Sequence, residues 1–201
     1  MHAWALLPRH ACLTVTGRIG GKERMKALAI RYGVRRIVDA THPYATHISA
    51  TIAACANELD IPLEVVRRPA LGPEGPLIRC VAGYEEAAAY LNATRGNVLL
   101  TTGSRHLDIF IKSMDIRRLY TRVLPTTEAI KKCAELGFLP NQIIAAQGPF
   151  CTRFNAAMIE QYHIEYLVTK DSGRAGGVEE KLEAAEQAGI ETVIIRRPTE
   201  V

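Results

Sequence analysis

Short apolar runs rich in β-branched residues alternate with helical patterns along nearly the whole chain, and this alternation constrains the fold more than any other feature. The predicted strands are 13–16, 36–39, 63–67, 98–101, 119–123, 142–146, 166–169 and 192–196. Most of the segments between them have the length and periodicity of one helix. Strands joined by single helices favour parallel sheets that are covered on both faces, so the predicted fold class is α/β.

Apolar residues at helical spacing define the core-facing sides of four predicted helices. These sets are Met25, Leu28, Ala29 and Tyr32; Ile48, Ile52, Cys55 and Leu59; Phe154, Ala157 and Met158; and Val178, Leu182 and Ala185. Gly33, Gly137 and Gly189 each follow a helical run at the position of a left-handed C-cap, and they predict where these helices end.

Residues 38–69 and 168–198 share a weak internal similarity. Each segment contains a strand, a polar loop, an alanine-rich helix, a second strand and the tripeptide Arg-Arg-Pro. Duplication of one half is one explanation. The other is that both segments are βαβ units, which share this order of elements. In either case "DATHP" and "TKDSG" are expected to be equivalent loops.

The Pro- and Gly-rich stretch "RRPALGPEGP" at 67–76 indicates the edge of a packed unit, and we place the domain boundary between 69 and 97. The predicted domains are 1–95, with about three strands, and 96–201, with a complete five-stranded sheet. The second is therefore expected to be the larger α/β unit.

Composition excludes several classes of protein. The chain has 201 residues, 48% hydrophobic content and a net charge of +4, which suits globular domains and is too weakly basic to indicate nucleic acid. No apolar run is long enough to span a membrane. Five cysteines without a C-x-x-C pair favour a reduced, cytoplasmic setting. Arginine doublets spread along the chain suit an anionic small molecule if they converge in the fold.

Four loops that follow predicted strands carry unusual polar residues: 39–45, 101–107, 146–155 and 169–177. In parallel α/β sheets ligands bind beyond the carboxyl ends of the strands, so these loops are the expected site. "TTGSR" at 101–105 fits either a phosphate cradle or a plain turn. "TKDSGRAGG" fits either an anion-binding loop or a flexible turn, and "AQGPF" is explained mostly by a proline at the start of a helix.

In "DATHPYATHIS" Pro43 suits the first helical turn, and Asp39 or Thr41 suits its cap. Those roles leave His42 for binding or acid–base chemistry. No spacing of His, Cys and Asp predicts a metal site, and no G-x-S-x-G elbow is present.

Several motifs together resemble the precorrin-6A reductase family and its cobalt-precorrin-6A counterpart. They are "DATHPYATHIS", "TTGSRHLDIF", "RVLP", "QGPFCTRFNAAMI" and "LVTKDSGRAGGVEEKLEAA", with Arg-Arg-Pro after both halves. The resemblance runs from about Thr16 to Pro198. It implies two Rossmann-like parallel-sheet domains, the first shortened, and NADPH-dependent reduction of one double bond in a corrin precursor, with NADH as an alternative cofactor. The anionic substrate would explain the scattered arginines.

The resemblance also implies roles for individual residues, and we expect the four loops to face one interdomain cleft. His42, Lys170 and Asp171 are the candidates for catalysis. The candidates for cofactor binding are Thr41, Gly103, Ser104, Arg105, Gly176 and Gly177. The candidates for substrate binding are Tyr44, Arg67, Gln147, Arg153, Asn155, Ser172 and Arg174, with Phe150 and Phe154 as apolar walls.

The chain departs from the family at its start, where family members usually carry a strand, a Gly-Gly-Thr loop and a helix. We expect roughly 40 residues of that unit to be absent, and an unpaired sheet edge to favour a homodimer. Two other functions remain open: a tetrapyrrole-binding or carrier module without catalysis, and a general nucleotide- or phosphosugar-binding protein.

Overall fold

The computed structural model describes residues 19–42, 44–66, 75–172 and 177–197. The chain divides into two compact units, Met1–Pro69 and Ala70–Val201. We describe each unit by itself.

The first unit contains α1 (Lys22–Arg31), β1 (Ile37–Asp39), α2 (Thr46–Glu58) and β2 (Leu63–Val65). The two strands pair in parallel, so that Asp39 lies opposite Val65. Ala29, Ile52, Cys55 and Ala56 form the buried side of the helices, which confirms the face predicted for α2. Tyr32 was expected on the inner face of α1, but it follows the last helical residue and is 47% exposed.

The second unit is a six-stranded sheet in which every strand pair is parallel. Its elements are β3 (Ile78–Val81), α3 (Tyr84–Asn92), β4 (Asn97–Leu100), α4 (Leu107–Ser113), β5 (Leu119–Val123), α5 (Thr127–Glu135), β6 (Ile143–Ala145), α6 (Thr152–Gln161), β7 (Ile164–Lys170), α7 (Val178–Gln187) and β8 (Glu191–Ile195).

The strand order in this sheet is β3-β8-β7-β4-β5-β6. Counted from β4 onwards, it is the Rossmann order 3-2-1-4-5-6, with the sixth place taken by β3, which precedes the other strands in the chain. After β4 the chain adds β5 and β6 on one side of that strand. After β6 it crosses back and adds β7 and β8 on the other side of β4. The boundary between β4 and β7 is therefore the topological switch point.

Helices cover both faces of the sheet. Since crossover connections are right-handed, α3, α4 and α5 belong on one face and α6 and α7 on the other. The buried cluster beneath α6 and α7 includes Leu99 and Leu167 from the central strands, and Met158, Ile159, Ala184 and Ala185 from the helices. This continuous core fixes the central strands, and therefore the loops that leave them.

The structure corrects the expected division of the chain, because residues 78–92 belong to the second unit and raise its strand number from five to six. β3 was not predicted from the sequence, because it is an edge strand interrupted by a charge. The Arg79 side chain donates from Nε to Glu191 Oε1 at 3.0 Å, and its guanidinium carbon lies 4.0 Å from the centre of the Tyr90 ring. These contacts attach β3 to β8.

Two of the predicted helix faces are also corrected. In α6 the buried residues are Asn155, Met158 and Ile159, whereas Phe154 and Ala157 are exposed. In α7 Lys181 is buried, and Leu182 is only half-buried. Met158, Val178 and Ala185 are buried as predicted, but in each helix a polar residue shares the inner face, and apolar periodicity alone does not predict it.

The remaining secondary-structure predictions agree with the structure where it describes them. Gly33, Gly137 and Gly189 all have positive φ at helix ends, which confirms the predicted left-handed C-caps. The predicted strand at 13–16 lies outside the described residues.

The two similar segments have the same architecture. Residues 38–66 and 168–197 each contain a helix that joins two adjacent parallel strands. Asp39 lies opposite Val65, and Thr169 lies opposite Ile194. Since Val65 and Ile194 each stand two residues before Arg-Arg-Pro, the register makes Asp39 equivalent to Thr169. The loops that follow these two residues are therefore equivalent, as the sequence comparison expected.

Candidate functional site

The carboxyl ends of β4 and β7 meet at the switch point of the second unit. Thr101 joins them, because its backbone N–H and its hydroxyl both donate to the carbonyl oxygen of Val168, at 2.9 and 2.7 Å. The loop after β4 therefore begins beside the last residues of β7. This is the position at which doubly wound sheets bind their ligands.

The loop after β4 presents backbone and hydroxyl donors. Gly103 has φ +80, and a Cβ at this position would meet nothing within 4 Å, so the backbone is open on that side. Thr102 is 4% exposed, and its hydroxyl has no hydrogen-bond partner among the described residues. A buried hydroxyl without a partner is costly, and it fits a group supplied from outside the chain.

An aromatic pair stands at the end of this loop. The ring of His106 lies over Tyr84, with ring centroids 4.2 Å apart, and Tyr84 packs its edge on Phe110. Tyr84 is the first residue of α3, so it comes from the carboxyl end of β3. Tyr84 and His106 thus form an apolar wall at the same edge of the sheet.

Three cations, Arg105, Lys132 and Lys170, lie in or next to the loop after β4. Lys132 Nζ donates to the carbonyl oxygen of Arg105 at 2.6 Å, which brings α5 against the loop. Burial, followed by repulsion from Arg105, lowers the pKa of Lys170 below its ordinary value. The same two causes lower the pKa of His106. The edge therefore has a positive potential that suits an anionic ligand.

The two residues after β7 are held in place by the backbone. Asp171 is 7% exposed, and its N–H donates to the carbonyl oxygen of Ile195 at 3.0 Å. Arg197 Nε donates to the carbonyl oxygen of Asp171 at 2.9 Å, and Arg197 Nη2 lies 3.6 Å from Asp171 Oδ1. Ser172 is also buried. These contacts show that Asp171 binds the side chain of Arg197. The expected catalytic role of Asp171 stays a prediction.

The segment after β6 holds a buried arginine. Arg122 Nη1, from β5, donates to Asn155 Oδ1 at 2.8 Å, and its guanidinium lies 4.2 Å from the centre of the Phe150 ring. Asn155 Nδ2 in turn donates to the carbonyl oxygen of Cys151 at 3.0 Å. Gln147 and Arg153 are exposed nearby in sequence. The amide of Asn155 therefore positions Arg122.

In the first unit the loop after β1 is built on Asp39. Its Oδ1 accepts the N–H of Thr41 at 2.9 Å, and Thr41 Oγ1 lies 3.0 Å from Ser49 Oγ. Burial raises the pKa of Asp39, but hydrogen bonds from Ser49 and Thr41 outweigh it and lower the pKa overall. Helix α2 begins after Ala45 without a side-chain cap, so the expected cap by Asp39 or Thr41 is wrong.

His42 also has a defined place in this loop. Its Nδ1 accepts the N–H of Tyr44 at 3.3 Å, and the two rings are tilted with centroids 5.6 Å apart. His42 and Tyr44 are half-buried. The predicted convergence of this loop with those of the second unit stays a prediction.

The structure thus brings together part of the predicted site. Gly103, Ser104, Arg105 and Lys170 lie at the switch point, and Asp171 and Ser172 follow directly after β7. Gly177 stands before α7 with φ 64, in the left-handed region that favours glycine. Arg67, Arg174, Gly176 and Pro43 lie outside the described residues.

Comparison with known proteins identifies the family. The family model described as precorrin-6x reductase CbiJ/CobK matches residues 2–201. This chain belongs to the precorrin-6x reductase family. It is 38% identical over 181 residues to cobalt-precorrin-6A reductase of Priestia megaterium, covering 88% of this chain and 71% of that protein.

Two further relatives extend this result. The cobalt-precorrin-6A reductase of Methanothermobacter thermautotrophicus is 33% identical, and the match covers 94% of this chain and 62% of that protein. A solved CobK precorrin-6A reductase superposes with a TM-score of 0.72 at 26% identity, covering 92% of this chain and 73% of that one. The chain therefore spans about two thirds of the length of the precorrin-6x reductases that it matches.

Several residues near this edge of the sheet were not predicted from the sequence: Tyr84, His106, Arg122, Lys132 and Lys181. Tyr84 and His106 lie in or just after the loops that follow β3 and β4, and this position was a usable signal once β3 was recognised. The described residues contain no group of three or more His, Cys, Asp or Glu placed to bind a metal. No helix in the described part of the chain is long and apolar enough to cross a membrane.

Proposed function

We propose that the protein catalyses NADPH-dependent reduction of a double bond in precorrin-6A or cobalt-precorrin-6A. The observation that carries this proposal is a group of cations and aromatic rings at the switch point of a chain that belongs to the precorrin-6x reductase family. Arg105, Lys132 and Lys170 supply the positive charge, and Tyr84 and His106 supply the apolar wall.

The loop after β4 fits a phosphate group of the cofactor. Thr102 has a buried hydroxyl without a partner among the described residues, and Gly103 leaves its backbone open. Arg105, directly beyond them, adds a positive charge. A phosphate would accept hydrogen bonds from these donors. When bound, NADPH supplies the hydride for the reduction.

The cations serve a second purpose with a corrin precursor, which carries many carboxylates. Arg105 and Lys170 would pair with carboxylates at the rim of the macrocycle, and the Tyr84–His106 pair would contact its apolar face. These contacts orient the ring without chemistry of their own.

The reduction also needs a proton at the carbon next to the one that receives the hydride. Lys170 is suited to hold that proton, because its lowered pKa brings its ammonium closer to the pH at which proton transfer is efficient. His42 and Asp171 are the other candidates for this step, and the lysine has the stronger support from the described geometry.

The test is an anaerobic assay with purified protein, NADPH and either precorrin-6A or cobalt-precorrin-6A. We expect saturable loss of NADPH absorbance together with a tetrapyrrole product heavier by two hydrogens, and slower turnover with NADH. Protein that binds the tetrapyrrole saturably and consumes no NADPH with either substrate would show a non-catalytic binding module and reject the proposal.

A further inference from the structure

A buried cation that has no carboxylate partner in the described part of the chain lies beneath the carboxyl edge of β5. Arg122 is 6% exposed, and its described partners are neutral: the amide of Asn155, the sulfur of Met158 at 3.9 Å and the ring of Phe150. Burial lowers its pKa to about 10, and no acid among the residues that the structure describes opposes this shift. A buried charge of this kind is expensive unless something compensates it.

A second cation adds to the cost. Lys181, in the first turns of α7, is also 6% exposed. Burial, followed by repulsion from Arg122, lowers the pKa of Lys181 to about 7, with a smaller contribution from Lys170. Attraction to Glu180 raises the pKa of Lys181, but this effect is smaller than the lowering by burial and Arg122. A second buried basic side chain, Lys181, therefore lies on the face of the sheet that α6 and α7 cover, as Arg122 does.

The segment after β6 is shaped to hold Arg122 in this place. A Cβ on Gly148 would come within 3.1 Å of two atoms of the Phe150 ring, so the ring would have to shift slightly to accept any larger residue. Phe150 is stacked on Phe154, with centroids 5.0 Å apart and planes 10° apart. Asn155 then links the guanidinium to the start of α6. Gly148, Phe150 and Asn155 of the "QGPFCTRFN" motif thus converge on one side chain.

These contacts occupy one face and one nitrogen of the guanidinium. Arginine has five N–H donors, and the described contacts use Nη1 alone. Nε and Nη2 together present the fork that matches a carboxylate or phosphate. The same edge of the sheet carries the other ligand-facing loops, so an anion bound there lies within reach of them.

We propose that Arg122 is the centre of an internal oxyanion site, which receives one carboxylate or phosphate group of a bound ligand. The ligand supplies the counter-charge that Arg122 lacks among the described residues. The inference concerns binding and holds whether or not the protein catalyses a reduction, so it can fail independently of the proposed function.

The decisive variant is Arg122→Met, which keeps a similar volume and removes the charge. Binding is measured by fluorescence titration with two probes: NADPH, with NADH as its partner lacking the 2′-phosphate, and uroporphyrin I, a carboxylate-bearing macrocycle, with its methyl ester. We expect Arg122→Met to weaken binding of one anionic probe about tenfold to a hundredfold. A loss confined to NADPH over NADH assigns the site to phosphate, and a loss confined to uroporphyrin over its ester assigns it to carboxylate.

Thermal unfolding without ligand separates this role from a structural one. Since replacing an uncompensated buried charge by a packed apolar side chain is neutral or stabilising, the Tm of Arg122→Met should equal or exceed that of the parent. Arg122→Lys keeps the charge and loses the fork, so it should bind the same probe at least several-fold more weakly. Arg117→Met, at the opposite end of β5 where the side chain is 85% exposed, is the matched control and should bind as the parent does.

The proposal is overturned if Arg122→Met and Arg122→Lys bind both anionic probes with parental affinity, or if the parent binds neither. A lower Tm with unchanged affinity would also overturn it, because Arg122 would then serve only to hold Asn155 and α6.

Discussion

Arg197 holds Asp171 from two sides, since Nε donates to the backbone carbonyl at 2.9 Å and Nη2 lies 3.6 Å from Oδ1. The pair joins the loop after β7 to the end of β8. Asp171→Ala should therefore lower the free energy of unfolding by about 3 kcal/mol, because it leaves a largely buried guanidinium without its carboxylate. Urea denaturation measures this change.

The double variant Asp171→Ala/Arg197→Ala is the control. Asp171→Ala and Arg197→Ala each remove the same interaction. The double variant should therefore lose clearly less free energy of unfolding than the sum of the two single losses. If Asp171→Ala instead unfolds like the parent and loses turnover, Asp171 belongs to catalysis.

Lys170 is expected to act at the site rather than in the fold. Lys170→Ala should lower kcat about tenfold or more, in the range of general acid catalysis, and keep the parental Tm within a few degrees. The measurement is NADPH oxidation with cobalt-precorrin-6A across pH. Lys131→Ala removes the same charge from an exposed position on α5 and should behave as the parent. Unchanged steady-state kinetics would remove Lys170 from the list of candidates.

Lys181 should give the fold a dependence on alkaline pH. Its pKa is about 7 in the folded protein and near 10.5 when unfolded, so between these values the unfolded chain binds the extra proton. Stability must therefore rise as pH increases from 7 towards 10.5, and the burial cost is fully present below pH 7.

Lys181→Met should remove this part of the pH dependence and raise the free energy of unfolding at pH 7 by on the order of a few kcal/mol. Urea unfolding of both proteins at pH 7 and pH 9 measures the difference. Parallel curves for the parent and the variant would contradict the assigned pKa.

Gly148 should be intolerant of a methyl group for reasons of space. Gly148→Ala places a Cβ about 0.3 Å closer to the Phe150 ring than ordinary van der Waals contact allows, so the ring that packs on Arg122 must shift. We expect a loss of stability of about 1–3 kcal/mol by urea denaturation, as for other overpacked sites.

Gly75→Ala is its control, because the added Cβ would be in ordinary contact with Ile78 at 3.5 Å. Gly75→Ala should match the parent. Equal stability of all three proteins would show that Phe150 is not held by Gly148.

The α/β fold class was predictable because strands buried on both faces are almost entirely apolar, and their spacing differs from that of helices. The runs that became β4, β5 and β8 agree with the structure to within one residue at each end. β3 escaped detection because it is a short strand at the edge of the sheet and the charged Arg79, which pairs with Glu191, interrupts its apolar run. The strand order was also unpredictable, since the sixth position of the sheet is filled by the earliest strand of the unit.

The loops of the site were predictable from their polar residues after strand ends, and the buried cations were not. Arg122 stands in "LYTRV" and Lys181 in "VEEKLEAA", where a charged residue normally marks the solvent side. Only the tertiary structure shows that both face inward, because their burial depends on Asn155 and on the helices that cover the sheet. A charge in a buried position leaves no signal in the hydrophobic periodicity.

The place of β3 at the edge of the sheet has a consequence for synthesis on the ribosome. Ile78 of β3 pairs with Thr192 of β8. β3 is therefore the first strand of its unit to be synthesised, but its neighbour in the sheet is the last. Contacts between such distant segments form late, and the exposed strand is open to proteases and to other nascent chains in the meantime. A circular permutant that moves this segment behind β8 would remove that delay.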